Sequence, residues 1–514
     1  MGWIELAGLA GAALLLLIGL HDVFQRKHAI LRNFPLIGHG RYLIEAIGPE
    51  LRQYIVASND EERPFSRDER RWVYASSKQQ NNYFGFGTDN PFETTPNYLI
   101  IKQAGFSHPH ALAHAAHKQP GAPLPCAKVL GGPRGRAKAH RPASVIGVSA
   151  MSYGSLGKAA IEALNRGCAL AGALHNTGEG GISPHHDHGG DLIWQIGTGY
   201  FGARDASGGL CIERLVEGTE AHSVQAIEIK LSQGAKPGKG GVLPAAKITA
   251  EISRIRGIPQ GKDCLSPPVH TAFSDVDGLL DLVEDIADRT GLPVGIKSAV
   301  GQLGFWHQLA DRMQATGKGV DFIAIDGGEG GTGAAPLVFS DHVALPFMMG
   351  MARVQRIFAE AGLADGIVWI GAGRIGLPAR AMLAFGLGCD LIMVAREAML
   401  AIGCIQAQKC HTGHCPTGVA THSRWLMRGL DPTNKAARVA NYMATFRSEV
   451  LALSHACGAA HPGLVELDSF EFLQGGLAGT SGREFFGYQP GWGAPAATDQ
   501  AAISELMQRA LQSA

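Results

Sequence analysis

The chain has 514 residues, enough to bury a large core as one elaborated α/β barrel or as two to three domains. Its 45 Lys and Arg balance 45 Asp and Glu, and no Lys/Arg-rich run supplies the electrostatic footprint that nucleic-acid binding needs, so that class is set aside. Gly is abundant at 69 residues while aromatics make up only 7%, which suits tight turns and backbone-lined ligand sites better than a β-sandwich.

The first element is "WIELAGLAGAALLLLIGL", residues 3–20, apolar apart from Glu5. About 20 such residues cross a bilayer core, so the block predicts a transmembrane anchor over residues 1–22. No Lys or Arg precedes the apolar block and no small-x-small site closes it, which disfavours a cleaved signal peptide. Basic residues come after it instead: Arg26, Lys27, Arg32 and Arg41. The positive-inside rule then makes this a single-pass protein of the inner, cytoplasmic membrane with the remaining chain facing the cytoplasm. A buried core helix is the competing reading.

From about residue 144, short β-branched or apolar runs alternate with helix-like segments. The runs are 144–152, 172–177, 199–204, 225–233, 292–299, 321–328, 366–373 and 389–396. Eight is the number that closes a (β/α)8 TIM barrel, expected here over residues 140–425. Residues 23–139 read as an N-terminal extension packing on that barrel. Helices are predicted at 275–290 and 376–388, and the Ala-rich residues 426–514 read as a helical C-terminal extension.

Chemistry in such a barrel sits where strands end. "NTGEGG" (176–181), "QGAKPGKGG" (233–241) and "DGGEGGTGAAP" (326–336) all lie there. Glycine clusters let backbone N–H groups approach and cradle an anion. Lys230 and Lys297 fall in the strands leading to this face, and a lysine in a barrel mouth needs an anionic partner. A flavin offers its phosphate and the ring edge that becomes negative on reduction. "GAGR" and "VAR" end the last two strands, where barrel phosphate sites form, so Gly371, Gly373, Arg374 and Arg396 are candidate phosphate neighbours.

Cys404, Cys410 and Cys415 come directly after the eighth run and close with Cys-Pro. Three thiolates fit an iron-sulfur cluster missing one corner. Zinc would want a fourth ligand, for which His411 or His414 could serve, and simple burial is the remaining alternative. Cys126, Cys168, Cys211, Cys264, Cys389 and Cys457 are scattered singly, which argues against a disulfide framework and for a reducing compartment.

Together "SAMSYGSLG", "NTGEGG", "IKLSQGAKPGKGG", "LSPPVH", "DGGEGGTGAAP" and "LAIGCIQAQKCHTGHCPTGVAT" resemble the FMN-binding synthase domain of glutamate synthase over about residues 140–421. Residues 25–55 are similar to the N-terminal region of a membrane-anchored subgroup of that family. The resemblance implies a (β/α)8 barrel holding FMN and a [3Fe-4S] cluster, reducing 2-iminoglutarate, formed from 2-oxoglutarate and ammonia, to L-glutamate. By it, Ala150, Met151 and Ser152 would face the flavin, and Lys297 would stabilise its reduced form. Lys230, Gln233 and Lys236 would approach flavin or substrate. Glu179 would lie near the substrate, and Arg256 would pair with the oxo-acid carboxylate, a task that suits a bidentate guanidinium. Asp326, Gly327, Gly328, Gly331, Thr332 and Gly333, in the matching Gly-rich loop, would border the cofactor, and Cys404, Cys410 and Cys415 would hold the cluster. Electrons would come from ferredoxin or a membrane donor, and association of several copies is compatible with the pattern.

The departures carry expectations too. No glutamine amidotransferase domain precedes the barrel, so ammonia would come from solution or a partner, and no separate dinucleotide fold is visible. Lys239 stands where the family has a carboxylate, and Val242 where it has a substrate-binding Gln. Losing such a hydrogen bond changes what an oxo-acid pocket holds by factors of ~10 to 100. That leaves open another 2-oxo acid or amine as substrate, or an electron-transfer subunit without turnover. His185, His186 and His188 beside Asp187, and His270, are candidates for substrate contact or proton delivery, with a metal site as the sharper alternative.

Overall fold

The computed structural model describes residues 2–25, 27–109, 121–475 and 478–512; Arg26, one of the basic residues behind the apolar block, lies outside the described residues. The chain divides into two compact units, residues 1–71 and 72–514.

In the first unit the apolar block forms one helix, Trp3–Phe24, long and apolar enough to cross a membrane. Its leucines and Ile4 stand exposed, and Ile18 is half-buried. Asp22 near its end is buried, accepting a hydrogen bond from the Leu36 N–H (3.0 Å) and lying 2.9 Å from His39 Nε2. Helices Ala29–Asn33 and Gly38–Leu51 come next, the latter running into a π-helical turn, Arg52–Val56.

The second unit is built on a closed barrel of eight parallel strands. They are β1 (Ile146–Val148), β2 (His175–Asn176), β3 (Leu192–Ile196), β4 (Val224–Lys230), β5 (Val294–Ser298), β6 (Phe322–Asp326), β7 (Val368–Ala372) and β8 (Leu391–Val394). Closure is in register, with Ile392 beside Ile146 and Val394 beside Val148. Strands wrapped by helices are buried on both faces, which is why most of them are dominated by apolar residues, with His175–Asn176 the polar exception.

The third strand is a correction: it is "LIWQI", and residues 199–204 are the turns beyond it. Tyr200 and Phe201 are buried like strand residues, but Tyr200 has φ +49° and Gly202 φ +90°, which breaks an extended run.

Helices after the strands sit as the pattern requires. The segment expected at 275–290 is Val276–Thr290, capped by the Asp275 side chain on the Gly278 N–H (2.8 Å) and ended by Gly291 at φ +72°. The segment expected at 376–388 is Pro378–Gly386. Between β2 and β3 the described residues hold only a 3-10 turn, Pro184–His186.

The long helix Pro432–Ala456 packs on Lys158–Ala171 and on Pro378–Gly386, so it completes the outer ring. The contact with Lys158–Ala171 is close because of Gly167, where a Cβ would lie 2.5 Å from Val439 Cβ. The C-terminal region is not all helical. Phe470–Leu473 pairs antiparallel with Tyr98–Ile101, placing Leu99 beside Phe472, and with Gly479–Ser481. "FEFL" alternates buried and half-buried, the period of a strand with one face covered.

Candidate functional site

The C-terminal ends of β1, β2, β4 and β6 and their loops bring one acidic and three basic side chains together. Glu179 is presented by the tight loop after β2. Gly178 there has φ +67°, and a Cβ on it would lie 2.6 Å from the Ser152 N, so only glycine lets this loop close on the loop after β1. Gly180 is equally constrained: its Cβ would lie 2.8 Å from Arg256 Nη2.

Glu179 Oε1 is 3.0 Å from Lys230 Nζ, which also donates to Gln233 Oε1 (2.6 Å). Lys236 Nζ donates to the Ala334 carbonyl (3.2 Å). Arg256 ends the helix Ala250–Arg256 and is buried, its Nη2 donating to the Tyr153 carbonyl (3.0 Å) and to Ser152 Oγ (3.3 Å), with its guanidinium 5.1 Å from the Phe201 ring centre. Its Nε is buried without a hydrogen-bond partner. A buried donor left unpaired on a cation is costly, and a ligand carboxylate arriving here removes that cost.

Burial alone would push Glu179 up, but Lys230, Lys236 and Arg256 outweigh it and hold the carboxyl below its usual range. Burial pulls Lys236 below the ordinary lysine value, with Glu179 opposing. Burial likewise lowers Arg256, against the pull of Cys264 and Glu179. Three cations against one carboxylate leave the group with two uncompensated positive charges, which suits a dianionic ligand.

Deeper in the barrel, Lys297 Nζ lies 3.5 Å from Asp326 Oδ2, which also accepts from the Gly234 N–H (3.0 Å). Burial would lower Lys297, but Asp326 and Glu228 outweigh it, so the amine is held above its ordinary value and stays charged. Sequence reasoning missed Glu228 and its donors, Asn176 Nδ2 (2.8 Å) and Gln195 Nε2 (2.6 Å). The signal was present. Glu228 and Lys230 are two apart on β4 and share its inward face, so a charged residue within "AIEIK" had to be interior.

At the ends of β7 and β8, Arg374 and Arg396 act on each other as like charges: burial lowers Arg396, and Arg374 lowers it further against the pull of Glu397. Arg396 donates to the Glu329 carbonyl, and a Cβ on Gly331 would lie 2.8 Å from its Cδ. Gly373, at φ +134°, approaches Gly327 so closely that its Cβ would lie 3.1 Å from the Gly327 N. Two repelling guanidiniums beside glycine backbone suit a phosphate. Gly371 is different. Its Cβ would meet Ile375, Phe347 and Cys389, so wall packing accounts for that glycine. Met151 and Ser152 are buried and Ala150 half-buried directly after β1, while Gly328 is half-buried and Gly331, Thr332 and Gly333 are exposed in the loop after β6.

The cysteine loop joins this rim: a Cβ on Gly333 would be 3.4 Å from Cys410 Cβ. Lys247, buried, donates to the Cys410 carbonyl (2.7 Å), and burial holds its amine below the ordinary lysine value against the opposing pull of Cys410 and Cys415. The Cys404 carbonyl accepts from Tyr74 Oη (2.7 Å) and its Sγ from the Gln406 N–H (3.4 Å). Among the described residues no three His, Cys, Asp or Glu side chains converge on a metal position, at these cysteines or at the histidines.

His185 Nε2 is 3.3 Å from Glu251, which also accepts from Tyr153 Oη (2.5 Å). His186 is buried with Nδ1 accepting from the Ser183 N–H (3.1 Å), and the His188 N–H anchors its loop on Asn165 Oδ1 (2.9 Å). His270 Nε2, 2.9 Å from the Lys230 carbonyl, braces the strand end that carries Lys230. Lys239 Nζ lies 5.7 Å from the Phe339 ring centre, and Val242 pairs with Leu265 in a short antiparallel ladder.

The fold and this rim define a (β/α)8 barrel with a polar, cation-rich ligand site at its C-terminal face. The family model described as "Conserved region in glutamate synthase" matches residues 134–460. The chain is 37% identical over 472 residues, 87% of its length and 90% of the relative's, to the glutamate synthase large subunit-like protein YerD of Bacillus subtilis. It is 37% identical over 334 residues to the archaeal glutamate synthase [NADPH] of Methanocaldococcus jannaschii, covering 64% of this chain and 60% of that relative. The chain therefore belongs to the glutamate synthase family. A solved structure of mandelate oxidase with (S)-4-hydroxymandelic acid aligns with TM-score 0.41 at 15% identity, covering 73% of this chain and 94% of that one.

Proposed function

We propose that the chain is an FMN-dependent oxidoreductase acting on the CH–NH2 group, reducing 2-iminoglutarate, formed from 2-oxoglutarate and ammonia, to L-glutamate. The observation that carries this reading is the pair of uncompensated positive charges around Glu179, matched to a dicarboxylate. Family membership supports it.

FMN fits the residues present, with Arg374 and Arg396 as the phosphate pair and Ala150, Met151 and Ser152 as the backbone facing the ring. When bound, it supplies the hydride. The chain's own part is placement and charge. Arg256 turns its unpaired Nε to one substrate carboxylate, Lys236 offers a second cation, and Lys297 stays protonated to meet negative charge at the cofactor. Glu179, ionised between cations, orients Lys230 toward the site.

A [3Fe-4S] cluster on Cys404, Cys410 and Cys415 is part of the proposal and would pass single electrons from ferredoxin or a membrane donor. The thiol chemistry of the donor set fits, and Cys410 and Cys415 lie near each other and near Lys247. The helix Trp3–Phe24 is proposed as a membrane anchor with the barrel on the cytoplasmic side.

Lys239 favours a second reading. It repels Lys236, adding positive charge beside the pocket, which suits a 2-oxo acid with more anionic character than 2-oxoglutarate. The test is anaerobic purification with flavin and iron quantified per chain, then reduction and incubation with 15N-ammonium and a panel of 2-oxo acids. One FMN, three irons and labelled glutamate are expected. A labelled amino acid from another oxo acid supports the second reading, and none from any acid leaves a carrier.

A further inference from the structure

We infer that residues 37–56 form an interfacial segment that lies in the headgroup layer of an anionic membrane. This deepens the proposed membrane anchoring and rests on it.

Ile37 leads into the helix Gly38–Leu51, and along it Ile44, Ile47 and Leu51 recur at a spacing that keeps them on one side. Their exposures are 82% for Ile37, 64% for Ile44, 45% for Ile47 and 40% for Leu51. Leu43 flanks this row at 64%, and Ile55 and Val56 extend it into the π-helical turn at 71% and 73%. An exposed row of large aliphatic side chains this long needs a cover.

Three observations select lipid as the cover. The segment begins 13 residues after the apolar helix Trp3–Phe24 ends, so an occupant at its face is continuous with a bilayer around that helix. The two are also tied by Asp22, which takes the Leu36 N–H and the His39 ring and so fixes the start of the second helix beside the end of the first. Finally, Lys27 and Arg32 are exposed between the apolar helix and this segment, while within the segment the exposed Arg41 and Arg52 are balanced by Glu45, the ion-pair partner of Arg41, and the half-buried Glu50. Cations in the connection between an apolar helix and an aliphatic face lie where anionic headgroups over acyl chains bind. Segments of this kind sit about 5–10 Å into the headgroup boundary.

The test uses the full chain in nanodiscs at one copy per disc, with phosphatidylcholine alone or mixed with phosphatidylglycerol, read by amide hydrogen exchange. Residues 38–56 are expected to exchange several-fold more slowly in the anionic discs than in the Ile44→Glu/Ile47→Glu variant, with barrel peptides unchanged. Equal exchange in wild type and variant, with the protein captured in discs, overturns the inference and leaves the anchor standing. Failure of the wild-type chain to enter discs overturns the anchor and this segment's role together. Protection that appears only with more than one copy per disc also overturns it, since a second copy is then the cover.

Discussion

Glu179 is the residue on which the rim's electrostatics turn: without it three cations would repel one another, and with it they keep two charges for a ligand. Arg256 is the most specific of the three, because its Nε has no hydrogen-bond partner among the described residues. Arg256→Met is expected to lower kcat/KM for the dicarboxylate roughly 10- to 100-fold, the worth of a charge-assisted hydrogen bond, with Arg256→Lys falling between because it keeps charge but not the fork. Steady-state kinetics check this. Lys236 sets a pH dependence. Its folded pKa is lowered by burial, so it loses its proton at a lower pH than the ordinary 10.5 of a free lysine. KM for the oxo acid should therefore rise as the pH climbs through that lowered value, and Lys236→Met should remove this alkaline limb. The stability sign is the reverse of a gained ion pair: the protonated amine opposes folding at lower pH, and the opposition fades toward 10.5. Glu179, with its pKa lowered, stabilises the fold above the unfolded value of 4.5 and loses that contribution as the pH falls through its folded value.

At the scale of elements, the rim depends on how closely the outer helices let the strands and loops approach. Helix Pro432–Ala456 reaches Lys158–Ala171 through the missing side chain of Gly167, so Gly167→Val should overpack this contact and cost about 1–3 kcal/mol, seen as a lower melting temperature with intact far-UV circular dichroism. Seven barrel strands were legible because each falls in a short run bounded by Gly or polar residues, and all of these but His175–Asn176 are rich in apolar residues, the pattern of a doubly covered strand. The third was not, because "GYFGAR" has equally apolar, equally buried residues and only its positive φ angles exclude it, which composition does not reveal. The Gly-rich loops were legible as ligand loops, but their glycines serve two ends: Gly178 and Gly180 admit neighbours at the rim, whereas Gly371 admits wall packing. The Glu228 network was missed because one polar residue in an apolar strand reveals its facing only once the register is known. The strand at 470–473 was missed because one of its partners, 98–101, lies more than 350 residues earlier in the chain, and 479–481 is a three-residue edge strand beside it.

For the whole molecule, a neutral formal charge hides a strongly uneven distribution, with surplus positive charge concentrated at the barrel rim and a further basic stretch behind the apolar helix. Both are places where the proposed ligands would bring an anion, an oxo acid and phosphate at the first and lipid headgroups at the second. The exposed side chains of Trp3–Phe24 predict that the full chain sediments with membranes and resists extraction by alkaline carbonate. The central claim is that the cationic rim holds a dicarboxylate where a reduced flavin can act on its imine. Stopped-flow absorbance of the anaerobic, photoreduced protein mixed with 2-oxoglutarate and ammonium tests it most directly. Rapid flavin reoxidation that needs both compounds, and that slows in Arg256→Met, is the predicted result; a flavin that stays reduced with every 2-oxo acid offered, or a protein that carries no flavin at all, would contradict it.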